Sequence, residues 1–291
     1  FNVDRVSGLS VNFLDESKSH RFSVPSFFNA DENVGDIEEL KSIFNDEYKS
    51  PEVYLAEVTD ALIGPKPIGL PRYWPVFFQD KYVWNLLSEE AKEKLVQQGE
   101  LVRDGDSLMP APNRSILEIK NTAVWLYTFY NIDHLYRETL PALLALKNSG
   151  YNFNDLYFIT PKLPQDIYEL LLVIGVPKER IISIENSWIK FDKLIIPSFV
   201  TFGHLHTPSE WYLNSSKLIR ESIESSEIGA RKINKLYVSR KNAIQPKILN
   251  ENELVAQLIA RGFTIIEPGD YSKIEQIELF SNAEIVIGPH G

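Results

Sequence analysis

The sequence predicts an α/β protein of two Rossmann-like domains, and three observations carry that expectation. From about Ile116 onward, short β-prone apolar runs alternate with segments that place apolar residues at helical spacing. A polar stretch at residues 221–231 (ESIESSEIGAR) interrupts the alternation and reads as a linker. A chain of 291 residues also suits two domains of roughly 100–200 residues each better than one small core. Strands alternating with helices imply parallel sheets covered by helices. The expected organisation is a loop- and strand-rich segment over residues 1–110 belonging to the first domain, a Rossmann-like domain with its linker over 111–230, and a second Rossmann-like domain over 231–291.

Within the first segment, residues 65–69 (PKPIG) and 70–75 (LPRYWP) read as extended pieces and loops. Residues 88–96 (SEEAKEKLV) predict a helix with Ser88 as N-cap and acidic residues in its first turn. Residues 122–129 are apolar and β-prone, and 132–146 have helical spacing. A strand at 155–160 (DLYFIT), a helix at 164–174, strands at 180–184 and 194–197, and a helix at 210–219 complete the domain. The second domain starts with a strand at 235–239 (KLYVS) and a helix at 251–261 closed by Gly262. A strand at 263–266 follows, then a helix at 272–282 with Ser272 as N-cap and Glu275 three residues on, then a strand at 284–287. That is half of a doubly wound sheet, so the C-terminal domain reads as incomplete, in a chain that opens on Phe1 rather than Met.

Composition narrows the function classes. Hydrophobic residues at 44% and charged residues at 24% are ordinary for a globular protein. A net charge of −10 argues against a nucleic-acid binder, which needs a basic face, so any nucleotide held is small. With no cysteine, disulfides, thiolate metal sites and a thiol nucleophile are excluded, and a reducing compartment is favoured. The expected location is the cytoplasm, free or at a membrane face, with the Golgi or endoplasmic reticulum lumen as the eukaryotic alternative. No apolar run approaches the ~18 residues needed to span a bilayer.

Two constellations carry chemistry. The strands of the second domain end in Ser239-Arg240, Glu267-Pro268-Gly269 and Gly288-Pro289-His290-Gly291. Ligands of open parallel sheets bind outside the carboxyl ends of the strands, where loops offer N–H groups to anions, and an Arg can fork onto phosphate oxygens. A diphosphate suits this edge; the alternative is a surface Arg beside a glycine turn. In the first domain, His134 and Glu138 are four apart and share a helix face near its start. An imidazole beside a carboxylate can deprotonate a hydroxyl, or can be a buried pair made for structure alone. Tyr130 and Asn131, just upstream, are placed to meet a sugar.

His204 and His206 alternate in a Pro/Gly loop without a carboxylate cluster, so no metal is assigned to them. Asp104-Gly105-Asp106 has the form of an acidic metal-binding motif but follows no α/β strand and reads as a turn. A nucleotide-sugar epimerase is disfavoured because the chain lacks G-x-G-x-x-G after a strand and a Tyr-x-x-x-Lys placed for hydride chemistry.

The run Tyr237-Val238-Ser239-Arg240-Lys241-Asn242-Ala243, through Ile248-Leu249-Asn250-Glu251 to Gly262-Phe263, resembles the donor-side signature of glycosyltransferase family 61. Pro268, Ser272, Glu275-Gln276-Ile277, Leu279-Phe280-Ser281, Ala283 and Gly288-Pro289-His290-Gly291 continue it in the family's order. Upstream, Asn131-Ile132-Asp133-His134 with Glu138 and Leu140-Pro141 looks like the family's N-x-x-H-x-x-x-(D/E)-x-x-L-P element. One departure is Gln245-Pro246-Lys247-Ile248, where the family commonly has Arg and Lys247 stands in.

The resemblance implies a GT-B fold, two Rossmann-like domains with parallel sheets facing a cleft, and an inverting reaction without metal or other cofactor. The implied partners are a nucleotide-sugar donor, most often a UDP-sugar, and a glycan or polysaccharide acceptor, as in capsule synthesis by bacterial relatives. On this basis Ser239, Arg240 and the turn from Gly288 to Gly291 hold the donor diphosphate. Lys247, Asn250, Glu251, Glu275, Gln276 and His290 complete the donor side, where Glu251 and Glu275 accept hydrogen bonds from hydroxyls or orient Arg240. Asn131 and Tyr130 belong to the acceptor side, and either Glu138 or His134 is the base. The rival from another class is a non-catalytic protein of this fold that binds a glycan or a partner.

Overall fold

The computed structural model describes residues 8–21, 47–65, 75–78, 81–82, 89–105, 107–112, 114–126, 134–184, 187–200, 209–224, 233–241 and 249–289. The N-terminal part contributes β1 (Leu9–Asp15), β2 (Ser19–Arg21), β3 (Glu47–Lys49), β4 (Val53–Ile63), β5 (Val76–Phe78) and β6 (Lys81–Tyr82). Helix α1 (Glu89–Gln97), the hairpin of β7 (Leu101–Asp104) and β8 (Ser107–Pro110), and β9 (Ile116–Trp125) follow. A widened turn (Leu135–Thr139) opens α2 (Leu140–Asn148), before β10 (Leu156–Thr160), α3 (Gln165–Val173), β11 (Ile181–Ser183), β12 (Trp188–Pro197) and α4 (Glu210–Glu224). The last elements are β13 (Lys235–Val238), α5 (Glu251–Ile259), β14 (Thr264–Ile266), α6 (Lys273–Ser281) and β15 (Ile285–Ile287).

The chain divides into two compact units, Phe1–Lys162 with Glu179–Ser215, and Leu163–Lys178 with Ser216–Gly291. In the first unit an eight-stranded sheet runs β11-β10-β9-β12-β4-β5-β6, with β1 also on β4. The four strands from β11 to β12 are parallel, as the alternation predicts, while β4 pairs antiparallel with β12, β1 and β5. The N-terminal segment therefore supplies half of the first unit's sheet.

Strand β4 (VYLAEVTDALI) was not legible as a strand because Glu57 and Asp60 break its apolar run. It lies in the sheet nonetheless, buried on both faces. Ala61 and Ile63 pack into one core with Val76, Phe78, Trp125 and Phe191, whereas Leu62 joins Phe77, Leu95, Leu101 and Trp188 on the other face. At roughly 1.5–3 kcal/mol per fully buried large apolar side chain, this outweighs one partly buried carboxylate. That carboxylate is answered as well: Glu57 accepts from Lys193 Nζ at 2.9 Å and from the Tyr151 hydroxyl.

Local chemistry accounts for the other elements. Gly105, with φ +59, sits in the two-residue connection of the β7–β8 hairpin, where Asp104 faces Ser107, so this Asp-Gly is a turn. Helix α4 extends into the polar segment as far as Glu224, with Ile223 only 3% exposed and the Ser222 hydroxyl donating to the Leu218 carbonyl.

The second unit holds a three-stranded parallel sheet in the order β14-β13-β15. Its core is small: Leu236, Ile266 and Leu279, with Ile233, Val238 and Tyr271 packed around them. Helix α6 begins in a capping box, in which Ser272 Oγ accepts the Glu275 N–H at 3.2 Å and Glu275 Oε2 accepts the Ser272 N–H at 2.8 Å.

With so small a core, that cap should matter. Ser272→Ala is expected to destabilise the start of α6 by about 1 kcal/mol. Native-state amide exchange should then accelerate in the first turn of α6 and stay unchanged in α1; equal rates in α6 for both proteins would refute the capping role.

Candidate active site

Both sheets contain a strand whose two neighbours are reached by crossovers leaving in opposite directions. In the first unit the parallel strands are ordered third, second, first, fourth (β11-β10-β9-β12). In the second they are ordered second, first, third (β14-β13-β15). Such a reversal opens a crevice at the carboxyl ends of the two strands flanking it. The crevices fall between β9 and β12 in one unit and between β13 and β15 in the other.

After β9 the chain passes through residues 127–133, outside the described residues, and enters the turn that opens α2 with His134. There His134 Nδ1 lies 2.8 Å from Glu138 Oε1. The pair is well enclosed, with side chains 10% and 16% exposed. Burial at this depth strengthens the interaction, because little water screens it. Tyr136, on the same turn, is kept a neutral phenol: burial first, and the nearby Tyr212 second, push its pKa up to about 12.

At the carboxyl end of β13 the backbone is tied to α5. The Glu251 carboxylate accepts the Tyr237 hydroxyl at 2.9 Å and the Arg240 N–H at 3.1 Å. Burial pushes the Glu251 carboxyl up, but the Arg240 N–H, the hydroxyls of Tyr237 and Ser239 and the charge of Lys241 outweigh it and hold it below the ordinary carboxylate value. Tyr237 moves the other way, up to about 12, through burial and the hydrogen bond to Glu251. Ser239 is buried; its N–H donates to the Ile266 carbonyl at 2.8 Å and its Oγ accepts the Lys241 N–H at 3.1 Å. Arg240 is half-buried where the strand ends.

Across the crevice, Gly288 directly follows β15. A Cβ on Gly288 would stand 3.2 Å from Val238 Cβ and 3.4 Å from the Val238 carbonyl oxygen, so a larger residue would push the two strand ends apart. The structure thus brings Ser239, Arg240, Glu251 and Gly288 together. Asn250 is exposed at the start of α5 without a side-chain cap.

Glu275 and Gln276 lie on the other side, after β14. Glu275 caps α6, and Gln276 Nε2 donates to the carbonyls of Pro268 at 2.6 Å and Tyr271 at 3.0 Å, holding the β14–α6 loop. Tyr130, Asn131, Lys247, His290 and Gly291, and also His204 and His206, lie outside the described residues. Among the described residues no three His, Asp or Glu side chains gather as a metal site would, and no helix is long and apolar enough to cross a membrane.

Tyr237 heads the motif run, but its bond to Glu251 was not anticipated from it. Its signal was a tyrosine inside an otherwise apolar strand, since a buried phenol requires an acceptor.

The Glu251 network has a pH signature. A carboxyl whose folded pKa lies below its unfolded value stabilises the fold above the unfolded pKa, and that contribution is lost as pH falls through the folded pKa. Wild type should therefore exceed Glu251→Gln in stability by roughly 1.5–3 kcal/mol at pH 7, the range for hydrogen bonds to a charged group. The gap should close toward pH 3 in urea titrations of the second unit; a gap independent of pH would refute the charged-acceptor role.

The family model described as Glycosyltransferase 61 matches residues 132–291, more than half of the chain, from just before His134 through the strand ends of the second unit. No curated protein matches the chain. The chain belongs to glycosyltransferase family 61, whose members transfer sugars.

Proposed function

We propose that this glycosyltransferase is an inverting enzyme of the GT-B type that moves a sugar from a nucleoside diphosphate donor, a UDP-sugar, onto a hydroxyl of a glycan or polysaccharide acceptor, without a metal ion. The observation that carries the reading is the chemistry after the strand ends: an imidazole–carboxylate pair on the turn that follows β9, and an arginine at the end of β13 next to the strand that leads to Gly288.

In this mechanism Arg240 and the N–H groups of the turn beginning at Gly288 meet the diphosphate. Glu251 shapes the site rather than contacting the phosphates, since a carboxylate repels them; its hydrogen bond to the Arg240 N–H keeps the strand end in place. The acceptor hydroxyl gives its proton to the His134–Glu138 pair as its oxygen attacks the anomeric carbon from the face opposite the diphosphate. The bond from that carbon to the diphosphate oxygen breaks, the electron pair leaves with the oxygen, and Arg240 offsets the charge that develops there. Inversion follows from the single displacement.

With Nδ1 turned to Glu138, proton acceptance by the ring falls to Nε2, and the carboxylate then steadies the imidazolium that forms. In the opposite assignment Glu138 takes the proton and His134 orients it. Rates separate the two. Glu138→Gln should abolish transfer if Glu138 is the base and leave partial activity if it only orients His134, whereas His134→Ala should be severely impaired in both cases. UDP affinity should stay unchanged in both variants. Near-normal transfer by both would remove the pair from the mechanism.

Arg240→Ala should weaken UDP binding about ten- to a hundredfold, because hydrogen bonds to charged groups contribute roughly 1.5–3 kcal/mol. Unchanged affinity in calorimetry would remove Arg240 from the donor site. Transfer should also survive EDTA, since Arg240 is the cation this reading sets against the leaving group; a strict Mn²⁺ or Mg²⁺ requirement would overturn that part.

A further inference from the structure

The turn carrying His134 and Glu138 is wound more widely than the helix it opens. Over Leu135–Thr139 the bonding reaches five residues back, and the Leu140 N–H donates to the Leu135 carbonyl. The backbone is nevertheless regular and right-handed, with φ/ψ of −65/−34 at His134, −77/−49 at Thr139 and −63/−43 at Leu140. This is a wide turn and not a break. Single wide turns of this kind inside α-helices are rare and recur at functional sites.

Its cause is two residues beyond the turn. Pro141 has no N–H to give the Arg137 carbonyl four residues back, and in α geometry its ring would collide with that carbonyl. The helix cannot escape by shifting, because Leu135, Leu140, Leu143 and Leu146 are all 0% exposed and clamp it on both sides of the proline. Taking an extra residue into the turn moves the Arg137 carbonyl off the ring while both ends of the helix keep their packing. The same extra residue changes how positions four apart face each other. In an α-helix they are offset by more than a full turn; in the five-residue winding they fall within one turn and lie closer along the axis.

We propose that Pro141 is a positioning residue for the His134–Glu138 pair: by forcing the wide winding of Leu135–Thr139 it sets the 2.8 Å contact between imidazole and carboxylate. The inference rests on the reading of that pair as the proton acceptor only for its effect on turnover. Its effect on the contact is independent of any activity.

The test is Pro141→Ala in the full chain. Alanine supplies the missing N–H and removes the ring, so the turn can close to α geometry and the melting temperature should stay the same or rise. The ¹⁵N resonances of the His134 ring, read at fixed pH, should move toward those of an imidazole without a carboxylate partner. Transfer should fall about ten- to a hundredfold in kcat, the scale expected for a small misplacement of a catalytic group, with the donor KM unchanged. Ring resonances identical to wild type would overturn the proposal, because they would assign the wide turn to the leucine packing. Shifted resonances with undiminished kcat would uphold the role of Pro141 and overturn the pair as base. If the alanine variant does not fold, Pro141→Ser supplies the same N–H and is read in the same way.

Discussion

Parallel pairing on both edges of β9 and of β13 constrains the rest of the molecule. Crossovers between parallel strands are right-handed, so connections that reach a strand's two neighbours on opposite sides lie on opposite faces of its sheet. Open parallel sheets bind ligands where such connections diverge, outside the carboxyl ends of the strands. His134 follows β9, and Arg240 and Gly288 follow β13 and β15, so the residues with chemistry stand where the topology leaves the sheets open. Glu275 and Gln276, after β14, are instead occupied with capping a helix and holding a loop.

On the proposed function, a chain of net charge −10 has to attract an anionic diphosphate locally. The long-range field opposes the donor, and it is screened beyond roughly 8 Å at physiological salt. What decides affinity is the handful of groups within that distance. Helix α5 is not among the helpers: Glu251 and Glu253 occupy its first turn and answer its positive end themselves. Among the described residues that leaves Arg240, Lys241 and backbone N–H groups as the attractive terms in the proposed donor site.

Much of the fold was legible because its signals are local. The strands at DLYFIT and KLYVS, the helix capped by Ser272 and the turn at Asp104-Gly105 depend on a few adjacent residues, and they lie where the sequence put them. Strand β4 was not legible, because its place is set by apolar contacts on two faces with segments more than a hundred residues away, such as Phe191 and Trp188. The site divides in the same way. That His134 and Glu138 share one helix face follows from their spacing, whereas the wide turn proposed to set their contact depends on Pro141 meeting a packed helix. The tie between Tyr237 and Glu251 joins a strand to a helix over a separation of 14 residues, and no periodicity announces such a bond.

The carboxylate of Glu251, beside the proposed donor site, raises a question of sign. An isolated carboxylate about 4 Å from a phosphate would oppose it by about 4 kcal/mol at an effective dielectric constant near 20. Glu251 is not isolated. Two hydroxyls and a backbone N–H point their dipoles at it and Lys241 adds a positive charge, so its field is largely spent inside the protein. Glu275 is likewise turned into its cap by the Ser272 N–H. The same bonds that spend the negative charge fix the strand end carrying Arg240, so neutralising the repulsion and positioning the attraction are one arrangement. Replacing Glu251 by an apolar residue would relieve the repulsion and release the Arg240 backbone together, and because that charge is already spent inside the protein the second effect is the larger.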